Sequence, residues 1–85
     1  MSNHATDFAG NIPDAIKNAI QEKIPDGVVT VGGGGGHFTI EVVSPVFAGK
    51  SKVESQRLVY SAIAHLMKGD LAPVHAVDSL VTKVP

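Results

Sequence analysis

This chain of 85 residues predicts one α+β domain of order α-β-β-α-β, with a small mixed three-stranded sheet covered on one face by two helices. Three observations carry that prediction. Ile12, Ile16, Ala19 with Ile20, and Ile24 recur at helical spacing near the start. His37 to Val43 alternates, with Phe38, Ile40 and Val42 on one face and His37, Thr39 and Glu41 on the other, as a half-buried strand does. A second amphipathic stripe of Val59, Ala62, Ile63, Leu66 and Met67 follows. Helices with one apolar stripe each must bury it, and a small sheet is the natural partner.

Residues 1–11 are small and polar and read as a flexible N-terminal tail; residues 12–85 read as the domain. Asn11-Ile12-Pro13-Asp14 has the marks of a helix start: a capping side chain, Pro in the first turn, and an acid at the positive end of the helix dipole. Pro25-Asp26-Gly27 ends that helix and turns the chain. Val28 to Val31 is β-branched and predicts a strand. Gly32 to Gly36 reads as a flexible loop joining it to the alternating strand, with His37 at the loop's exit on the polar face. Ser44-Pro45 ends that strand and Phe47-Ala48-Gly49-Lys50 is a connector. Ser51 with Glu54 has the spacing of a capping box and opens the second helix, which Gly69-Asp70 closes. Glu54, Arg57, Ser61, His65 and Lys68 form its polar stripe. A last strand runs from Val74 to about Val81.

Composition narrows the function. Hydrophobic residues make up 44% of the chain, which fits a packed domain, and no apolar stretch approaches a membrane span. The first residues lack the basic-then-apolar order of a secretion signal. There is no cysteine, hence no disulfide scaffold, no thiolate metal site made by this chain alone and no thiol nucleophile; a cytoplasmic location is expected. A net charge of −1 argues against non-specific nucleic-acid binding through bulk charge, and leaves room only for a local basic patch.

The motifs that invite an enzymatic reading fail on inspection. A phosphate-binding loop needs Gly five residues before Gly49 of Gly49-Lys50-Ser51, and that residue is Ser44. The glycine run precedes a strand and so lacks the helix N-terminus that would hold a phosphate. Ser44, Ser51 and Ser61 lack the Gly-x-Ser-x-Gly elbow of a hydrolase nucleophile. Four histidines remain. His4 lies in the tail and His65 on a solvated helix face; neither is given a role. His37 and His75 lie on strands that can be neighbours, and His75 sits inside the apolar run Val74-His75-Ala76-Val77. Each alone reads as structural before it reads as a ligand, since a sheet carbonyl satisfies a neutral imidazole. Two histidines do not close a four-ligand zinc site, so any metal they bind is shared with another molecule. Lys50, Lys52 and Arg57 gather at the start of the second helix, with Glu54 among them, and read first as a solvated helix end.

The ordered set His37-Phe38, Val42-Val43-Ser44, Phe47-x-Gly49, Arg57-x-Val59-Tyr60 and Val74-His75-Ala76 resembles the BolA family from about Ile12 to Leu80, and within it the short bacterial IbaG/YrbA-like branch. The Arg-His-Arg usual at the start of the long helix is here Ser55-Gln56-Arg57. The resemblance implies a fold similar to class II KH domains. It implies a monothiol glutaredoxin of the Cys-Gly-Phe-Ser type as partner, with a [2Fe-2S] cluster shared between this chain, the glutaredoxin and glutathione, in iron-sulfur trafficking or iron sensing and with links to stress response. His75 then corresponds to the family's histidine ligand. The second ligand of the family comes from the loop between the first two strands; that loop is all glycine here and His37 is the candidate beside it. The Thr-Pro-Glu-Glu-Trp-like segment that often follows the last strand is replaced by Val81-Thr82-Lys83-Val84-Pro85. The family is also described as KH-like transcriptional regulators. In that alternative Lys50, Lys52 and Arg57 would contact DNA, although the Gly-x-x-Gly loop with which KH domains grip a backbone reads Gly49-Lys50-Ser51-Lys52.

Overall fold

Asn11 is the cap of the first helix. Its side chain accepts a hydrogen bond from the Asp14 amide at 2.9 Å, Pro13 sits in the first turn where its missing N–H costs nothing, and Asp14 and Lys23 occupy the ends that the helix dipole favours. A computed structural model describes residues 11–85; of the tail expected over residues 1–11, residues 1–10 lie outside the described residues, and Asn11 belongs to the helix as its cap. Helix α1 spans Ile12–Lys23 and buries Ile16, Ala19 and Ile20. It stops where Ile24 donates back to Ile20 and Pro25 has no amide to offer.

The sheet has the order β1-β2-β3, with β1 Val28–Gly34, β2 His37–Val43 and β3 Ala76–Lys83. β1 and β2 are antiparallel, and Val29 faces Val42 while Val31 faces Ile40 on the covered side. β2 and β3 run parallel, which requires a long crossover, and helix α2 at Lys52–Ile63 supplies it. Both helices lie on one face. Ile16, Ile20, Ile24, Phe38, Val42, Val59, Ile63 and Val74 are each at most 2% exposed and form the centre of the core. The α+β order and the mixed sheet therefore agree with the sequence.

Three boundaries differ from it. The glycine run is not a five-residue loop, because Gly32, Gly33 and Gly34 pair with Thr39, Phe38 and His37 as part of β1. Only Gly35 and Gly36 turn the chain, with φ of +63° and +85°, the left-handed pair that matches the twist of a two-residue hairpin. The second helix loses α geometry at Ala64 and finishes as a 3₁₀ turn over Ala64–Leu66, short of Gly69. Strand β3 begins two residues later than expected. The Val74 amide is drawn to the Leu66 carbonyl at 3.1 Å, away from β2, so strand pairing starts only after it.

The corner after β2 is tightly joined. Ser44 is fully buried; its hydroxyl donates to Asp26 at 2.8 Å and accepts from the Val46 amide at 3.1 Å, while its own amide donates to the Lys83 carbonyl. At the start of α2, Ser51 and Glu54 close a reciprocal capping box with bonds of 2.9 and 3.1 Å. Hydrogen bonding to Ser51, its backbone N–H foremost, holds the Glu54 carboxyl below the usual carboxylate range.

Candidate functional site: two histidines at the hairpin end of the sheet

His75 leaves the core as an exposed residue directly after Val74, which is fully buried. The apolar run therefore serves two purposes: Val74 anchors, and His75 emerges. The expectation that His75 lies within a strand is corrected by one residue, since β3 begins at Ala76. Its main chain is nonetheless fixed to the hairpin. The amides of His75 and Ala76 both donate to the Gly36 carbonyl, at 2.8 and 3.0 Å. The imidazole lies against Gly36: a Cβ placed on that glycine would come within 2.9 Å of the ring's Cδ2 and 3.0 Å of Cγ. The last glycine of the run is thus needed twice, for its positive φ and for the ring beside it.

His37 is the next residue along and faces Ala76 in the β2–β3 register, so the fold brings both histidines to the same end of the sheet, on either side of Gly36. His37 stands exposed on the uncovered face, as its alternation predicts. Its Nδ1 lies 3.2 Å from Oδ1 of Asp78, a residue that sequence reasoning did not single out. Asp78 is the extra residue of a β-bulge, which no period-two pattern announces. Among the described residues no three His, Cys, Asp or Glu side chains converge to hold a metal ion. Two reachable imidazoles and no thiol form an incomplete donor set. Such a set fits a [2Fe-2S] cluster only where other molecules provide the sulfur.

The basic residues are placed differently. Lys50, Lys52 and Arg57 are all exposed, but they divide between two grooves. Lys50 and Lys52 line one between the start of α2 and β3; Lys50 and Arg57 line another with Lys23 and Glu54. The Glu54 carboxylate, held ionised by its cap, puts negative charge among these cations. No helix among the described residues is long and apolar enough to cross a membrane.

Comparison with known proteins agrees with this geometry. A family described as BolA-like protein matches residues 14–85. The UV-induced protein uvi31 of Schizosaccharomyces pombe is 41% identical over 49 residues, a stretch that covers 58% of this chain and 45% of that protein, so the chain spans about half the length of this relative. A bolA protein homologue from Coxiella burnetii superimposes with a TM-score of 0.73 at 32% identity, over 89% of this chain and 94% of that one. BolA1 from Arabidopsis thaliana gives a TM-score of 0.75 at 23% identity, over 91% and 95% of the two chains, a likeness of fold.

Proposed function

The chain belongs to the BolA-like protein family, and on that premise we propose that it partners a monothiol glutaredoxin of the Cys-Gly-Phe-Ser type in iron-sulfur trafficking or iron sensing. The family is non-enzymatic, so the work of this chain is binding. His75 is the ligand it offers to a shared [2Fe-2S] cluster, with His37 as the second nitrogen donor; cysteine of the glutaredoxin and the thiol of glutathione provide sulfur. The observation that carries the reading is the exposed His75 ring on a main chain fixed by two bonds to Gly36. A ligand for a partner's metal must be reachable and still pre-positioned, since an unconstrained side chain loses rotamer freedom on binding. Neutral nitrogen in place of thiolate removes negative charge from a cluster and raises its reduction potential. A proton on either imidazole blocks ligation, so binding weakens on acidification.

The finer placements follow the same reading. Ser55-Gln56-Arg57 at the start of the long helix supports the IbaG/YrbA-like branch. The UV-induced relative supports a link to stress response, and a cytoplasmic location fits a thiol-free chain. DNA binding through Lys50, Lys52 and Arg57 has no comparable support, because these cations face two grooves, one of which Glu54 also lines.

The test is a spectroscopic titration. Added to cluster-loaded monothiol glutaredoxin, this protein is expected to shift the absorption and circular-dichroism bands and to form a complex of one chain of each. His75→Ala is expected to abolish the shift with little change in thermal unfolding, because the ring it removes is exposed. A shift that persists in His75→Ala removes His75 from the role; no shift with the native protein removes the partnership.

A further inference from the structure

We infer that Asp78 is a positioning residue for His37: it holds the imidazole in the Nδ1–H form and leaves Nε2 as a bare nitrogen available to a partner's metal. The metal is taken from the glutaredoxin reading, on which this part rests; the state of the ring follows from this chain alone.

The placement of Asp78 begins in the sheet. Phe38 pairs with Val77, but Thr39 pairs with Ser79, so Asp78 is left over between two regular pairs. In an uninterrupted register Asp78 would face Thr39, Ser79 would face Ile40, and Leu80 would fall opposite Glu41 on the uncovered side. The extra residue returns Leu80 to Ile40, where it packs against the core. A bulge also re-aims the residue it frees. Here it sends the carboxylate back along the sheet to His37, with Oδ1 at 3.2 Å from Nδ1.

Hydrogen-bond chemistry then decides the ring. An ionised carboxylate only accepts, so Nδ1 must carry the hydrogen. In a neutral imidazole the other nitrogen is then bare, and a bare nitrogen is what a metal takes. A free histidine side chain prefers the opposite form, with hydrogen on Nε2, so the carboxylate reverses the default. The pair is 59% and 56% exposed, and surface pairs of this kind add little to stability. Its effect is on orientation: a carboxylate behind an imidazole fixes the tautomer and the ring plane and makes the free nitrogen a better donor. The same pairing explains how His37 acts from outside the glycine loop, where no side chain exists to do so.

The experiment reads the ring directly. Two-bond ¹H–¹⁵N correlation spectra of ring-labelled protein, taken at mildly alkaline pH where imidazoles are neutral, distinguish the two tautomers. Native protein is expected to show His37 with hydrogen on Nδ1. Asp78→Ala is expected to return His37 to the Nε2–H form, with His65 and His75 unchanged and the backbone amide spectrum preserved. His37 in the Nε2–H form in native protein, or unmoved by Asp78→Ala, overturns the positioning role. The same variant titrated with cluster-loaded glutaredoxin is expected to bind about ten-fold more weakly. A ring that changes form while binding stays native overturns His37 as a ligand and leaves the positioning of the ring standing. No spectral shift on mixing the native protein with cluster-loaded glutaredoxin overturns the partnership reading separately.

Discussion

The two ends of β2 place a carboxylate beside a polar side chain in opposite ways. At the C-terminal end Ser44 is fully buried and every polar group on it is committed: the hydroxyl to Asp26 and Val46, the amide to Lys83. At the N-terminal end His37 and Asp78 are more than half exposed and His37 has one ring nitrogen engaged. One end fixes where three segments meet. The other keeps spare bonding capacity facing solvent. Polar satisfaction and burial, taken together, separate a closed structural corner from an open one more cleanly than residue type does.

The strongest way to break that contrast is Gly36→Ala. Its φ of +85° is strained for alanine, and the new methyl would overlap the His75 ring. A loss of about 3 kcal/mol in urea unfolding is expected, together with loss of the glutaredoxin complex. A variant as stable and as competent as the native chain would show that the hairpin end is not organised around this contact. Ser44→Ala sharpens the other side. It removes the partner of the Val46 amide and of Asp26 in a part-buried network and is expected to cost about 2 kcal/mol, with binding to glutaredoxin unchanged; impaired binding would erase the distinction between the ends. Ser51→Ala, which removes the cap of α2, is expected to cost about 1 kcal/mol by the same measurement, again with the complex intact.

The smallest effect concerns acid. Glu54 titrates below its unfolded value of 4.5 because Ser51 bonds its charged form. Its contribution is therefore fully present above pH 4.5 and fades as the pH falls through the lower folded-state value. Glu54→Gln should flatten the acid side of the stability profile slightly and leave the neutral side unchanged apart from the weaker cap. An acid side identical to that of the native protein would mean that the capping box does not persist in solution.

Much of this molecule is visible in the chain because local signals and tertiary demands coincide. Asn11-Ile12-Pro13-Asp14 and Ser51 with Glu54 name both helix starts correctly, since caps are short-range chemistry. The β2 alternation places Phe38, Ile40 and Val42 inside and His37 outside, as found. Family membership also stood in the ordered motifs around His75 and Tyr60. Other features were hidden for physical reasons. Glycine has no side chain to mark a face, so Gly32 to Gly34 carry no strand pattern and join β1 only because β2 pairs with them. Asp78 was missed because a bulge interrupts the period on which strand reading depends. The start of β3 depended on where the Val74 amide bonds, a contact with Leu66 that spacing along the chain does not encode. Lys50, Lys52 and Arg57 lie close in sequence, yet the helix distributes them over two grooves.

A single peptide oxygen, that of Gly36, receives the amides of both His75 and Ala76. The hairpin tip and the start of the last strand are therefore yoked at one atom. The main chain of His75 is thus tied through that atom to the tight turn at Gly35-Gly36, which His37 follows. Both donors should consequently tighten or loosen together, and protection of the His75 and Ala76 amides from hydrogen exchange would report engagement without any probe on the metal itself.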